Sequence, residues 1–146
     1  MTTIETFFTT DHRACDHRLA DLEAAVAAGD WTCAQDRLHD FDRDLERHLG
    51  REEELLFPAI EAATGSTHGP TEVMRREHAQ MRALLNDARA AIGQQDQAAS
   101  LGLLETLMTL IQLHNVKEEQ ILYPMADRHL GPQRTALMDR VRDFVP

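Results

Sequence analysis

A chain of 146 residues is the size of one ordinary domain and can bury a continuous core without disulfides. Its formal net charge of −10 argues against a phosphate-binding surface and against attraction to anionic lipid, so neither nucleic acid nor a membrane is expected as a partner. Two cysteines, no run of about 18 apolar residues and no basic region leading into an apolar stretch at MTTIETFFTT predict free thiols in a soluble, cytoplasmic protein.

Apolar residues recur at helical spacing almost throughout, while strand-type alternation and Asn-Gly or Asp-Gly hairpin signals are missing, so the expected fold class is all-α. A first helix is expected from Thr2, where Thr2-x-x-Glu5 has capping-box form. It carries Phe8, His12, Cys15, Leu19, Leu22 and Val26 on one face before Gly29. Asp30 caps a second helix with Phe41, Leu45, His48, Glu52 and Leu55, which Pro58 should kink near its end, ahead of the turn-rich TGSTHGP at 64–70. Pro70 suits the start of a third helix, in which Met74, His78, Met81, Leu85, Ala88 and Ile92 lead to a break at Gly93. Asp96 caps a fourth, holding Leu103, Leu107, Ile111, His114, Glu118 and Ile121 and stopping near Gly131-Pro132, with a short amphipathic tail, RTALMDRVRDFV, beyond it. Four long helices with short turns predict an up-down-up-down four-helix bundle with a short C-terminal helix, in a single domain over residues 1–146.

The chain also repeats itself at an offset of 66 positions. HLGREEELLFP, from His48, returns as HNVKEEQILYP, from His114. His12 falls on His78, Asp30 on Asp96, Leu45 on Ile111, Glu52 on Glu118, Glu53 on Glu119 and Pro58 on Pro124. Apolar matches alone would reflect a shared periodicity. Matching His and Glu on a core-facing stripe is costly unless those residues have a job.

Residues four apart on a helix share a face, so His48 and Glu52 point the same way, as do His114 and Glu118. A single pair of this kind is usually a surface contact. Here each pair interrupts an apolar stripe, and so do His12 and His78, which predicts six inward polar groups: four imidazoles and two carboxylates. Buried carboxylates without a cation suffer several kcal/mol of desolvation each. Two divalent or trivalent metals remove that penalty. A mixed nitrogen and oxygen set suits iron or manganese, zinc is an acceptable substitute, and Ca²⁺ and Mg²⁺ prefer oxygen alone.

The pattern H…HxxxEExxLFP followed by H…HxxxEExxLYP resembles the hemerythrin-like proteins with the His-His-Glu cation-binding domain, over residues 2 to about 130. The resemblance implies a four-helix bundle around a non-haem di-iron centre, with oxygen binding or oxygen-linked chemistry. It places His12 and His48 on one iron and His78 and His114 on the other, with Glu52 and Glu118 as bridging carboxylates. Two departures from the oxygen carriers stand out: Arg82 occupies the place of a further His, and Glu118 that of an Asp. Asp16 is the repeat equivalent of Arg82, and the two are expected to pair across the bundle.

The resulting expectation is a di-iron protein that binds O₂ or a related small ligand such as NO or peroxide, for sensing, storage or delivery. The alternatives are an oxidase or peroxidase-type enzyme using the same centre, or an iron-binding module whose metal is mainly structural. His17, His39, His68 and His129 are expected at the surface or at helix ends, Cys15 as a core thiol, and Glu53 and Glu119 as hydrogen-bonding or solvated groups beside the metal ligands.

Overall fold

The computed structural model describes residues 2–146, and they contain helices and turns but no strand. Helix α1 (Ile4–Ala27) begins one residue later than expected, with Thr3 as its cap. The Thr3 hydroxyl accepts the Thr6 N–H at 3.0 Å, and the Asp127 carboxylate accepts those of Ile4 and Glu5 at 2.9 and 3.2 Å. The unpaired donors of the first turn are thereby satisfied without a Thr2–Glu5 capping box. Helices α2 (Trp31–Arg51) and α5 (Gln97–Lys117) start as expected, because Asp30 and Asp96 accept the N–H groups of Cys33 and Ala99, each at 3.1 Å. Helix α4 (Pro70–Gly93) opens on Pro70, whose missing N–H would be unpaired at that position anyway.

Pro58 and Pro124 act differently from a simple kink. Proline has no N–H, and its ring collides with the carbonyl four residues back in an α-helix. The chain accommodates both prolines by widening the preceding turn: Glu52–Leu56 and Glu118–Leu122 are π-helical. Phe57 and Tyr123 donate their N–H groups to the carbonyls of Glu52 and Glu118, five residues back, and helices α3 (Phe57–Thr64) and α6 (Tyr123–His129) follow.

Each π turn inserts one residue, so the inward face beyond it moves on by one position. Leu56 and Leu122 are buried, whereas Leu55, expected in the core, is half-buried and Ile121 is 60% exposed. In α5 the core position expected of Leu103 belongs to Leu104. Leu122→Ala should therefore destabilise the protein by about 3 kcal/mol through the cavity it leaves, and Ile121→Ala by no more than about 0.5 kcal/mol. Urea unfolding of the two variants compares them directly, and equal effects would contradict the shifted register.

Sequence neighbours pack side by side. Helix α1 lies against α2 and α5, and α4 against α5 and α2, which closes a four-helix arrangement. A 3₁₀ turn (Gly131–Gln133) leads into α7 (Arg134–Arg142), the expected C-terminal helix. Two apolar clusters form. One gathers Cys15, Leu19, Leu22, Phe41, Met81 and Leu107 at the end nearer the α1–α2 turn. The other gathers Ile4, Phe8, Leu56, Met74 and Leu122, covered by Leu137, Met138 and Val141 of α7. A layer of buried polar residues lies between them. Among the described residues, no helix is long and apolar enough to cross a membrane.

Candidate metal centre

His12, His48, Glu52, His78, His114 and Glu118, the six residues picked out by the repeat, meet in this layer, each 3% exposed or less. Helix α1 supplies His12, α4 supplies His78, and the ends of α2 and α5, where the π turns begin, supply the two His-Glu pairs. The rings of His12 and His48 are 4.6 Å apart, and those of His78 and His114 are 4.9 Å apart. Each glutamate reaches both ring pairs. Glu52 Oε1 lies 3.2 Å from His48 Nε2 and 3.2 Å from His78 Nε2. Glu118 Oε1 lies 3.0 Å from His12 Nε2 and 3.1 Å from His114 Nε2.

The donor atoms of Glu52, His78, His114 and Glu118 all fall within 4.8 Å of one another, and so do those of His12, His48 and Glu118. Several of them have no hydrogen bond within the described residues: Nε2 of His48, His78 and His114, Oε1 of Glu52 and Oε2 of Glu118. The short approaches from His48 and His78 to Glu52 bring atoms together without the direction a hydrogen bond needs. A buried polar atom without a partner costs about 1–3 kcal/mol. A metal ion satisfies all of these lone pairs together, so the residues present fit one.

Electrostatics point the same way. Burial would lower the pKa of His78, but the close Glu52 carboxylate and the hydrogen bond to Glu53 outweigh it and lift the imidazole to about 9. At His48, burial is likewise overcome, by the charge of the adjacent Glu52 and by the hydrogen bond to Asp11, which raise its pKa well above the ordinary value. Burial favours a protonated Glu52, yet the charge of the neighbouring His48 and the close approach of His78 hold it well below the usual carboxylate range. The glutamates demand positive charge in a layer closed to water.

The other imidazole nitrogen is held as well. Nδ1 of His12, His48, His78 and His114 lies 2.8 Å from a carboxylate oxygen of Glu119, Asp11, Glu53 and Glu77 respectively. A carboxylate accepts the Nδ1 proton and thereby aims the Nε2 lone pair inward. These four bonds cross between helical segments and join α1 to α2, the π turn after α2 to α4, α4 to α5, and the π turn after α5 to α1. Cations back the ring: Arg51 Nη1 donates to Asp11 at 3.2 Å, and Lys117 donates to Glu77. Glu53 and Glu119 thus fill the supporting place expected of them. Asp11 and Glu77 were not anticipated. Their signal was an acid immediately before His12 and before His78, repeating at 66 positions. Asp11→Asn or Glu77→Gln should weaken metal binding by about 10–100-fold through loss of ring orientation, measurable by competition with a chelator. Unchanged affinity would contradict this role.

Arg82 does not pair with Asp16, which is exposed. Its guanidinium is forked between Glu46, at 2.9 and 3.2 Å, and Glu53, at 2.8 and 2.9 Å. Burial would raise the pKa of Glu53, but the bonds from His78 and Arg82 outweigh it and bring the carboxyl down to about 2. Two carboxylates about two turns apart along the same helical run, both within reach of Arg82, hold this fork in place of the acid at Asp16. His17, His39, His68 and His129 are exposed, as expected. Cys15 is buried, and burial pushes its thiol up to about 11, as befits an inert core residue.

Tyr123 brings a further buried polar contact to the layer. Its hydroxyl donates to Glu52 Oε2 at 2.8 Å and lies 3.0 Å from Glu118 Oε1 and 3.0 Å from His12 Nε2.

The hemerythrin HHE cation-binding domain family matches residues 3–126. An uncharacterized hemerythrin-like protein of Schizosaccharomyces pombe is 27% identical over 151 residues, which span 100% of this chain and 72% of that protein. No solved structure matches the chain. With the family match over most of its length and a buried His/Glu cluster suited to a cation, the chain belongs to the hemerythrin HHE cation-binding domain family.

Proposed function

We propose that this single-domain protein holds two iron ions and uses them to bind O₂ or a related small ligand, NO or peroxide, for sensing, storage or delivery. The observation that carries this reading is the layer of four imidazoles and two glutamates, with unpaired inward lone pairs, sealed between two apolar clusters. In this reading His12 and His48 hold one iron, His78 and His114 the other, and Glu52 and Glu118 bridge, because each glutamate touches one imidazole of each pair. The mixed nitrogen and oxygen donors suit iron; manganese or zinc can substitute.

When bound, the irons supply reversible change of oxidation state and exchangeable positions for a small ligand. The chain's own residues supply everything else. The outer carboxylates fix the four imidazoles, and the two glutamates neutralise the metal charge. Phe8, Phe57, Leu56 and Leu122 keep bulk water from the layer. Arg82, tied to Glu46 and Glu53, offers no lone pair and leaves the position of the carriers' further His open. The free thiols and the acidic charge support a reducing, cytoplasmic setting in which neither nucleic acid nor membrane is a partner.

The test is to load the protein with Fe²⁺ without air and then add O₂, NO or azide while recording the absorption spectrum. A spectrum that forms on addition and reverses on removal supports reversible ligand binding. Failure of all three to perturb the loaded protein contradicts it.

A further inference from the structure

The repeat extends to the aromatic residues packed on the layer. Phe57 and Tyr123 are repeat equivalents, each the first residue after a π turn. They also pack on equivalent imidazoles: Phe57 stacks on His78 with centroids 5.5 Å apart, and Tyr123 lies 5.6 Å from His12. Only the hydroxyl differs. It is wholly buried, and Tyr123 is the only tyrosine in the chain.

The hydroxyl sits among the donor atoms. Tyr123 Oη, His12 Nε2 and Glu118 Oε1 form a triangle with all three sides 3.0 Å. Neighbouring donors on an octahedral ion with bonds of about 2.1 Å lie roughly 3.0 Å apart, so such a triangle has the size of one octahedral face. Hydrogen bonding explains the 2.8 Å contact to Glu52, but it does not require equal approach to an imidazole nitrogen and a second carboxylate. Among the described residues, no phenol oxygen takes the equivalent place beside His78, where Phe57 presents an apolar ring.

We propose that Tyr123 is a further protein ligand, to the metal held by His12 and His48. The inference rests on the two-iron reading above and extends it. On binding, the phenol O–H bond would be replaced by an oxygen–metal bond and the proton released to solvent, as when other ligands bind a metal. The two positions then differ in protein donors. His12, His48, Glu52, Glu118 and Tyr123 surround one, while His78, His114, Glu52 and Glu118 surround the other. The exchangeable positions accordingly concentrate at the His78–His114 metal, the side where Arg82 replaces a donor.

The experiment uses the purified full chain loaded with ferric iron. Tyrosine bound to Fe³⁺ gives a visible charge-transfer band, and resonance Raman excitation within that band enhances tyrosine ring vibrations. Wild type should show both, and Tyr123→Phe should lose both while still holding iron, since Phe57 already packs in the equivalent place. Phe57→Tyr, made separately, should raise the band about twofold by giving the second position the same hydroxyl. Two irons without the band in wild type, a band that survives Tyr123→Phe, or no increase in Phe57→Tyr would overturn the assignment while leaving the metal centre intact. A wild-type protein that binds no metal would overturn the two-iron reading and this one with it.

Discussion

Glu52→Ala and Glu118→Ala should each strip the protein of most of its metal, whereas Glu53→Ala and Glu119→Ala should remain largely loaded when metal is in ample supply. The inner glutamates are fully buried, and each contacts an imidazole from both ring pairs, so in the proposed two-iron reading truncating one would remove an anionic donor from both positions together. It also leaves an excess of positive charge in a layer that water cannot screen. Each outer glutamate reaches one imidazole, and only at Nδ1, with Glu53 also holding Arg82. Losing them relaxes ring orientation, an effect of about 10–100-fold on affinity that saturating metal overcomes. Metal content per chain after purification in excess Fe²⁺ measures the contrast. Small and equal losses in all four variants would contradict the assignment of Glu52 and Glu118 as bridges.

Complete removal of metal should lower the melting temperature by roughly 10 °C. Donors from all four long helices meet in one layer, so the unfolded chain cannot reproduce the site, and binding to the native state alone adds RT ln(1 + [L]/Kd). At a free metal concentration about 1,000 times Kd this is ~4 kcal/mol. In a chain of this size each kcal/mol moves the midpoint by about 2–4 °C. The unpaired inward atoms of His48, His78, His114, Glu52 and Glu118 are stabilised together when the cation binds. Thermal scans of loaded and chelated protein, followed by circular dichroism, measure the shift. Superimposable curves would show that the metal does not tie the bundle together.

Much of this was readable from the residues because helical periodicity and side-chain chemistry agreed. A His inside a stripe of Phe8, Cys15 and Leu19 can only point inward, and the repeat at 66 positions showed that the interruption was not accidental. Asp30 and Asp96 announced two helix starts through their hydrogen-bonding chemistry alone. The misses share a physical origin in what a regular 3.6-residue period cannot express. The π turns before Pro58 and Pro124 move the inward face by one position, so Leu56 and Leu122 replace Leu55 and Ile121 in the core. Thr3 replaced Thr2 as a cap because Asp127, distant in sequence, supplies the remaining acceptors. The partner of Arg82 depended on which acid lay within reach across the bundle, and spacing along one helix says nothing of that. Asp11 and Glu77 escaped because residues beside a ligand on a helix look solvent-facing, although a neighbouring helix brings them an imidazole.

The most direct test of the central claim is the iron content of the folded chain, determined by elemental analysis after anaerobic loading and removal of excess metal, for wild type and for His48→Ala and His114→Ala. Two irons per wild-type chain, falling in both variants, is the predicted result, because each substitution removes one imidazole from a different pair. A wild-type chain that retains one iron or none, or variants that keep the full wild-type complement, would contradict a two-metal centre built from these residues.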